Sequence, residues 1–220
     1  MRTALVTGAS RGIGAAIAAQ LKADGCRVLT PSRAEMDLTS SDSIGKYLST
    51  LNADVDILVN NAGINQVAKL DDIELANIIN TLQVNLLAAF QITQWIAKGM
   101  KKRSYGRIVN ISSVWSVVAR SGRASYAMSK TAINGMTRSM AVELASYNIL
   151  VNAVAPGYVL TDLTRQNNSP EEMEKIAQTI PARRFAAPEE IANLVSFLCA
   201  EKNTYLTGQT IVLDGGYSCL

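Results

Sequence analysis

Ala4-Leu5-Val6-Thr7-Gly8-Ala9-Ser10-Arg11-Gly12-Ile13-Gly14 is the stretch on which the fold turns. A short apolar run ends in three glycines, and the helix formers of Ile13–Ala23 follow before Asp24-Gly25 closes the segment. This reads as a buried strand, a tight turn and a helix. Glycines at such a turn let backbone N–H groups approach a pyrophosphate, which also meets the positive end of the helix. The spacing is TGxxxGxG rather than GxGxxG, and a plain turn without a ligand uses the same glycines. Its place between a first strand and a first helix favours a dinucleotide site.

Outward from this unit, Val- and Ile-rich runs alternate with longer segments of helical period. Strands are expected at Arg27–Thr30, Met36–Leu38, Val55–Val59, Arg107–Ile111, Leu150–Val154 and Thr210–Leu213. Helices are expected at Ser40–Leu51, from Asp71 to about Gly99, at Ala124–Tyr147, Glu171–Ile180 and Glu189–Ala200. Strand and helix in alternation mean right-handed crossovers and an open parallel sheet. The expectation is an α/β chain, one Rossmann-like doubly wound domain over residues 1–220, with about seven strands in the order 3-2-1-4-5-6-7. Only Ala34-Glu35-Met36 separates Arg33 from Asp37, so no helix is expected between strands two and three. The Asn/Ser/Pro cluster Arg165–Pro170 reads as a mobile flap over the site.

Composition narrows the chemistry. The 220 residues are 48% hydrophobic and 18% charged, with a net charge of +3, too small an excess to imply nucleic acid. There is no histidine, which removes Ser-His-Asp and Cys-His catalysis and leaves Tyr, Lys, Asp, Glu or Cys as acid or base. Cys26, Cys199 and Cys219 are scattered and form no metal-ligand spacing, so no metal is expected, and a reducing cytoplasm is. The first apolar run breaks at Gly8, too early for a signal peptide, and no uninterrupted apolar stretch reaches membrane-spanning length.

The second strand ends Leu29-Thr30-Pro31-Ser32-Arg33, where an NAD enzyme usually places a carboxylate for the ribose 2′-OH. Ser32 and Arg33 stand there instead, and Arg11 lies in the glycine loop. Two guanidiniums suit a 2′-phosphate, which favours NADP(H), with NAD(H) as the alternative. Two solvated surface arginines are the competing reading, and Glu35 and Asp37 lie close by.

The chain resembles the short-chain dehydrogenase/reductase family, most of all its 3-oxoacyl-(acyl-carrier-protein) reductases. The resemblance rests on TGASRGIG (7–14), NNAG (60–63), Val84-Asn85, Ser113 with Tyr126-Ala127-Met128-Ser129-Lys130, Pro156-Gly157 with Thr161, and Leu213-Asp214-Gly215-Gly216. It implies interconversion of a ketone and a secondary alcohol, with Tyr126 as acid/base, Lys130 as its partner, Ser113 bonding the substrate oxygen and Asn85 holding a water that links Lys130 to solvent. Independently, Tyr126 and Lys130 are four apart, hence on one helical face. A free phenol ionises near pH ~10, and an adjacent ammonium pulls that value down. Ser112 is the rival for the role of Ser113.

The resemblance further implies cofactor contacts from Gly8, Ser10, Arg11, Gly12, Ile13 and Gly14, and from Ser32, Arg33, Asp37 and Leu38. Asn61, Ala62 and Gly63, then Tyr126 and Lys130, then Pro156, Gly157, Val159 and Thr161 complete the set. The implied partner is a small ketone or alcohol, free or bound to an acyl carrier, with no nucleic acid or membrane, and the implied assembly is a homodimer or homotetramer. Trp115 reads either as a pocket wall or as a core residue. Lys101-Lys102-Arg103 reads either as a carrier-binding patch or as the basic end of a helix. Tyr147 stands where many carrier-dependent members have a basic residue. Two other functions share this fold: a non-catalytic NADP-binding regulator and a sugar-nucleotide-modifying enzyme.

Overall fold

Val6, Val59, Val109 and Val154 stand on four strands, and none is more than 1% exposed. Strands buried on both faces must lie inside a sheet covered on both sides by helices. The computed structural model, which describes residues 1–161, 164–165 and 169–220, builds such a sheet. Among the described residues it has six parallel strands: β1 (Thr3–Val6), β2 (Arg27–Leu29), β3 (Ile57–Asn60), β4 (Gly106–Ile111), β5 (Ile149–Pro156) and β6 (Thr210–Leu213). Their order is β2-β1-β3-β4-β5-β6. The chain leaves β1 toward one edge and returns from β2 to the other side, so the switch point lies between β1 and β3.

The helices are α1 (Gly12–Ala23), α2 (Ser41–Thr50), α3 (Leu75–Leu82), α4 (Ala88–Arg103), α5 (Ala124–Leu144), α6 (Pro170–Thr179) and α7 (Pro188–Cys199). Alternate strand residues serve opposite faces. Leu5, Leu58, Ile108 and Val151 pack with Ile44 and Leu48 of α2, Ile92, Ile96 and Met100 of α4, and Leu144 of α5. Ala4, Val6, Ile57, Val59 and Val109 pack with Ile17 and Leu21 of α1 and Ile191, Val195 and Leu198 of α7. Local signals set the helix ends. Ser40 caps α2 by accepting from the Ser43 N–H at 3.2 Å. Ser169 and Glu172 close a reciprocal capping box on α6.

The expected strand at Met36–Leu38 does not form, so the sheet has six strands rather than seven. Residues 31–39 form turns and no helix of two or more turns, as expected, and the missing crossover explains the lost strand. A parallel strand beside β2 needs a crossover of roughly 10–12 residues or more. Only residues 30–35 separate Leu29 from Met36. The chain instead turns at once, the Met36 N–H donating to the Ser32 carbonyl at 3.0 Å, and Met36 is buried in the α2/α4 core. The expected flap at Arg165–Pro170 includes residues 166–168, which lie outside the described residues.

The long helical segment is not uniform. Between α3 and α4, Gln83–Leu87 is π-helical, one residue wider per turn. The run Leu75–Arg103 is long and apolar enough, by length and composition, to cross a membrane. One side packs on the sheet through Ala88, Ile92, Ile96 and Met100, while Leu75, Ile79, Leu87, Phe90 and Trp95 are exposed on the other.

Candidate active site

The loops after β1, β3, β4 and β5 all leave from the carboxyl ends of the strands, and every expected site residue outside the 30–39 segment lies on them or on the helices they enter. The loop after β1 is pinned from beneath. Thr7 Oγ1 accepts the N–H groups of Asn61 and Ala62 at 3.0 and 3.1 Å, and Asn61 Nδ2 donates to the carbonyls of Thr7 and Gly8, both at 3.0 Å. This is why Gly8 and Gly14 hold no side chain. A Cβ on Gly8 (φ +64°) would sit 2.8 Å from Ala62 Cα, and one on Gly14 would sit 2.3 Å from the Gly8 carbonyl oxygen. Thr161 reaches over the same loop, its Cγ2 lying 3.3 Å from where a Gly12 Cβ would be. Ser10 and Arg11 are exposed at the mouth, and α1 begins immediately behind them. A turn with a helix N-terminus behind it and no room for side chains fits a pyrophosphate.

Ser32 and Arg33 stand at the end of β2, beside an open edge. The Ser32 N–H donates to Glu35 Oε2 at 2.8 Å, so that carboxylate folds back on the turn, which holds it below the usual carboxylate range. Arg33 is 81% exposed and leans on Asp37 at 3.5 Å. Asp37 is already engaged by the Thr39 N–H and hydroxyl, and the Leu38 carbonyl accepts from Gln83 Nε2 at 3.2 Å. The Arg11 guanidinium has no hydrogen-bond or ion-pair partner among the described residues, only its carbonyl accepting from the Ala15 N–H. The two arginines are therefore available to an anion, Arg11 freely and Arg33 at the expense of a weak pair.

Asn85, Ser113, Tyr126 and Lys130 come together beside Gly63. A Cβ on Gly63 would lie 3.3 Å from Asn85 Oδ1 and 3.4 Å from Lys130 Nζ. Lys130 is 3% exposed and donates to the Ile111 carbonyl at 2.7 Å. Burial without a counter-charge pushes its ammonium down to about 8. Burial pushes the Tyr126 phenol up, while hydrogen bonding with Ser113 and then the charge of Arg123 pull it down. The sequence reading assigned that charge effect to Lys130. The structure places the Lys130 ammonium 5.6 Å from the Tyr126 ring centroid, committed to a carbonyl, and makes Arg123 the cation acting on the phenol.

Ser112 and Ser113 separate clearly. The Ser112 hydroxyl bonds the Lys130 carbonyl and the Ser116 hydroxyl, both at 3.1 Å, whereas Ser113 faces Tyr126. Asn85 sits in the π-helical turn. Its Oδ1 accepts the Ile64 N–H at 2.8 Å, and its Nδ2 donates to the Ile64 carbonyl at 2.9 Å and to Ser129 Oγ at 3.0 Å. Its amide thus clamps the loop after β3 to α5. A second polar ladder crosses the sheet nearby: Asn60 Nδ2 donates to Thr93 Oγ1 and Asn110 Oδ1, and Asn110 Nδ2 donates to Thr137 Oγ1. Thr7 opens the TGASRGIG motif, whereas Thr93, Asn110 and Thr137 had no signal in the sequence beyond being polar letters in apolar runs.

Above these residues lies an aromatic wall. Trp115, Tyr158, Phe185 and Tyr217 meet edge to face with centroids 5.4–5.9 Å apart. Trp115 is therefore both largely buried and a wall residue. Tyr217, carried in by the Gly215-Gly216 turn, was not foreseen. The basic run at the end of α4 is largely accounted for locally: Arg103 pairs with Asp54 at 2.6 Å and donates to the Val55 carbonyl at 2.7 Å, and Lys101 stacks over Tyr147 at 5.1 Å.

Comparison with known proteins defines the class. A family model described as enoyl-(acyl carrier protein) reductase matches residues 30–218. The chain belongs to the short-chain dehydrogenase/reductase family, and the model and relatives it matches are named as oxidoreductases. It is 40% identical to a 3-oxoacyl-(acyl-carrier-protein) reductase of Aquifex aeolicus (strain VF5), over 98% of this chain and 96% of that protein. That alignment spans 240 positions, so the relative has residues with no counterpart among these 220. Among solved structures, one provisionally described as a gluconate dehydrogenase from Agrobacterium tumefaciens superposes with a TM-score of 0.94 at 38% identity, covering 100% of this chain and 96% of the other. Another, provisionally described as an NAD(P)-dependent gluconate 5-dehydrogenase from Beutenbergia cavernae with bound NADP, gives 0.93 at 34% identity, covering 100% and 97%.

Proposed function

We propose that this chain is an NADP(H)-dependent oxidoreductase that reduces a ketone to a secondary alcohol or runs the reverse. The observation that carries this is the convergence of Ser113, Tyr126 and Lys130 beside a side-chain-free cradle at the switch point of the sheet. A bound nicotinamide supplies or accepts the hydride at the carbon. Tyr126 gives its phenolic proton to the carbonyl oxygen in reduction and takes it back in oxidation. Ser113 donates a hydrogen bond to the same oxygen, stabilising the charge that develops there. Lys130 returns a proton to Tyr126 and offers its remaining donors to the ribose hydroxyls. Asn85 is a positioning residue that fixes Ile64 and thereby the loop facing Lys130.

Gly8, Ser10, Gly12, Ile13 and Gly14 would hold the pyrophosphate, Arg11, Ser32 and Arg33 the 2′-phosphate, and Asp37 and Leu38 the adenine. Asn61, Ala62 and Gly63, with Pro156, Gly157, Val159 and Thr161, would line the nicotinamide half. The named relatives act on 3-oxoacyl carriers and, provisionally, on gluconate; both chemistries are ketone–alcohol exchanges. Residues 1–220 work as one domain. The exposed Leu75, Ile79, Leu87, Phe90 and Trp95 fit a helix-to-helix contact between copies, as a dimer or tetramer in the cytoplasm would make.

The test is NADPH absorbance with a panel of ketones. Tyr126→Phe should lower turnover ~10²–10⁴-fold with little change in NADPH affinity. Near-normal turnover in that variant would overturn the mechanism, and binding of NADPH without oxidation of it by any ketone would favour a regulator.

A further inference from the structure

Arg123 immediately precedes α5, and Tyr126 follows one turn later on the same face. Its guanidinium is partly buried, yet it makes no hydrogen bond or ion pair among the described residues. A second cation, Arg120, acts on it; Arg120 donates to the Tyr158 hydroxyl and lies 5.8 Å over the Trp115 ring. Burial and then Arg120 hold Arg123 below its ordinary value, and the groups that act favourably on it are the phenols of Tyr126 and Tyr158. Other partly buried arginines of this chain have partners: Arg103 has Asp54, and Arg107 donates to the Asn148 and Asn203 carbonyls. Two neighbouring guanidiniums with no carboxylate partner among the described residues form an arrangement that gains by taking up an anion.

The surroundings define the anion's size. Trp115, Ser116, Arg120, Arg123, Ala127 and Thr131 border a cleft of about 530 Å³. Trp115 brings the aromatic cluster to this cleft, its ring meeting those of Tyr158 and Tyr217 edge to face at 5.9 Å. Such a space suits a small polar molecule.

We propose that the substrate is a small oxo or hydroxy compound bearing an oxyanion, a carboxylate or a phosphate, which Arg123 binds with Arg120 while its carbonyl lies at Tyr126. This rests on the oxidoreductase reading and names the substrate class for the same site. Both sources of the oxyanion present paired oxygens to the planar fork of a guanidinium.

The test compares matched pairs: levulinate with methyl levulinate, and dihydroxyacetone phosphate with dihydroxyacetone. In NADPH oxidation, kcat/KM should favour at least one charged partner over its neutral mate by ~10–100-fold, the range for a charge-assisted hydrogen bond. Which pair shows the preference tells carboxylate from phosphate. Arg123→Met should collapse the charged-to-neutral ratio, and Arg123→Lys should retain part of it. A Trp95→Phe variant leaves Trp115 as the only tryptophan, and its fluorescence, titrated with levulinate and with dihydroxyacetone phosphate in saturating NADP⁺, reads the site without turnover. Saturation without turnover of any of the four compounds would sink the oxidoreductase reading and keep the anion site. Equal kcat/KM within both pairs, a preference that survives in Arg123→Met, or no saturation by either anion would overturn the proposal.

Discussion

Lys130→Met should make the protein more stable at neutral pH while disabling it. Lys130 is 3% exposed, and its ammonium has one recorded hydrogen bond, to the Ile111 carbonyl. Its value falls from the ordinary 10.5 to about 8 because burial penalises the charge. At about 1.4 kcal/mol per pH unit, that drop corresponds to roughly 3 kcal/mol of destabilisation whenever the group is charged in the folded state. Below pH 8 lysine is charged both folded and unfolded, so the penalty is complete. It shrinks as pH rises from 8 toward 10.5, where the folded state has given up its proton and the unfolded chain has not, and it is gone above that.

Methionine has similar length and no charge. The substitution removes the penalty and forfeits the bond to Ile111, worth about 1 kcal/mol net, so it should stabilise by roughly 2 kcal/mol at pH 7. For a chain of this size each kcal/mol moves Tm by about 2–4 °C, which gives a rise of about 4–8 °C. Thermal denaturation by circular dichroism at pH 7 and pH 9.5 would measure it, with the variant's advantage narrowing at the higher pH. A variant less stable than the parent at pH 7, or an advantage that does not change with pH, would refute the reasoning. Turnover should be lost in parallel, a direct trade of stability for a charged group where the chemistry needs one.

Gly14→Ala should abolish measurable NADPH binding, because its Cβ would lie 2.3 Å from the Gly8 carbonyl oxygen and 2.4 Å from Asn61 Nδ2 and would push the cradle open; fluorescence titration showing wild-type affinity would refute the cradle. Arg11→Ala should raise the KM for NADPH more than Arg33→Ala does, since Arg33 must leave Asp37 to bind phosphate, and both should leave the KM for NADH nearly unchanged; equal effects on the two cofactors would remove the 2′-phosphate role.

The carboxyl-end loops were legible because their residues are constrained by geometry: glycines where Ala62, Gly8 and Asp214 press close, and a tyrosine and a lysine one helical turn apart. The strand at Met36–Leu38 was misread for a definite reason. Its pattern was strand-like, but a local pattern carries no information about the crossover a parallel neighbour requires, and six intervening residues forbid it. The π-helical turn left one trace, an asparagine interrupting the Leu82–Leu86 stripe, which pattern alone explains equally well as a satisfied core residue. Arg120 and Arg123 look like any loop arginines until the aromatic wall is in place, because their want of a carboxylate partner among the described residues is a property of the folded surroundings. Tyr217 is three residues before residue 220 and comes to the aromatic wall by way of the two left-handed glycines before it.

Losing the outermost strand has a consequence for how this sheet meets other chains. β2 is now a margin, with one side paired to β1 and the other open. An open margin is a template onto which a foreign strand can dock. Here the template is three residues long, and Pro31, which has no N–H to offer, stands two positions beyond it. The turn that follows then carries the backbone away into the α2/α4 core. The truncation that opened the sheet thus also left too little ladder to recruit a partner. It was tolerable only at this place, since every other strand except β6 is held from both sides and its removal would part the strand ends that bring the glycine cradle and Tyr126 together.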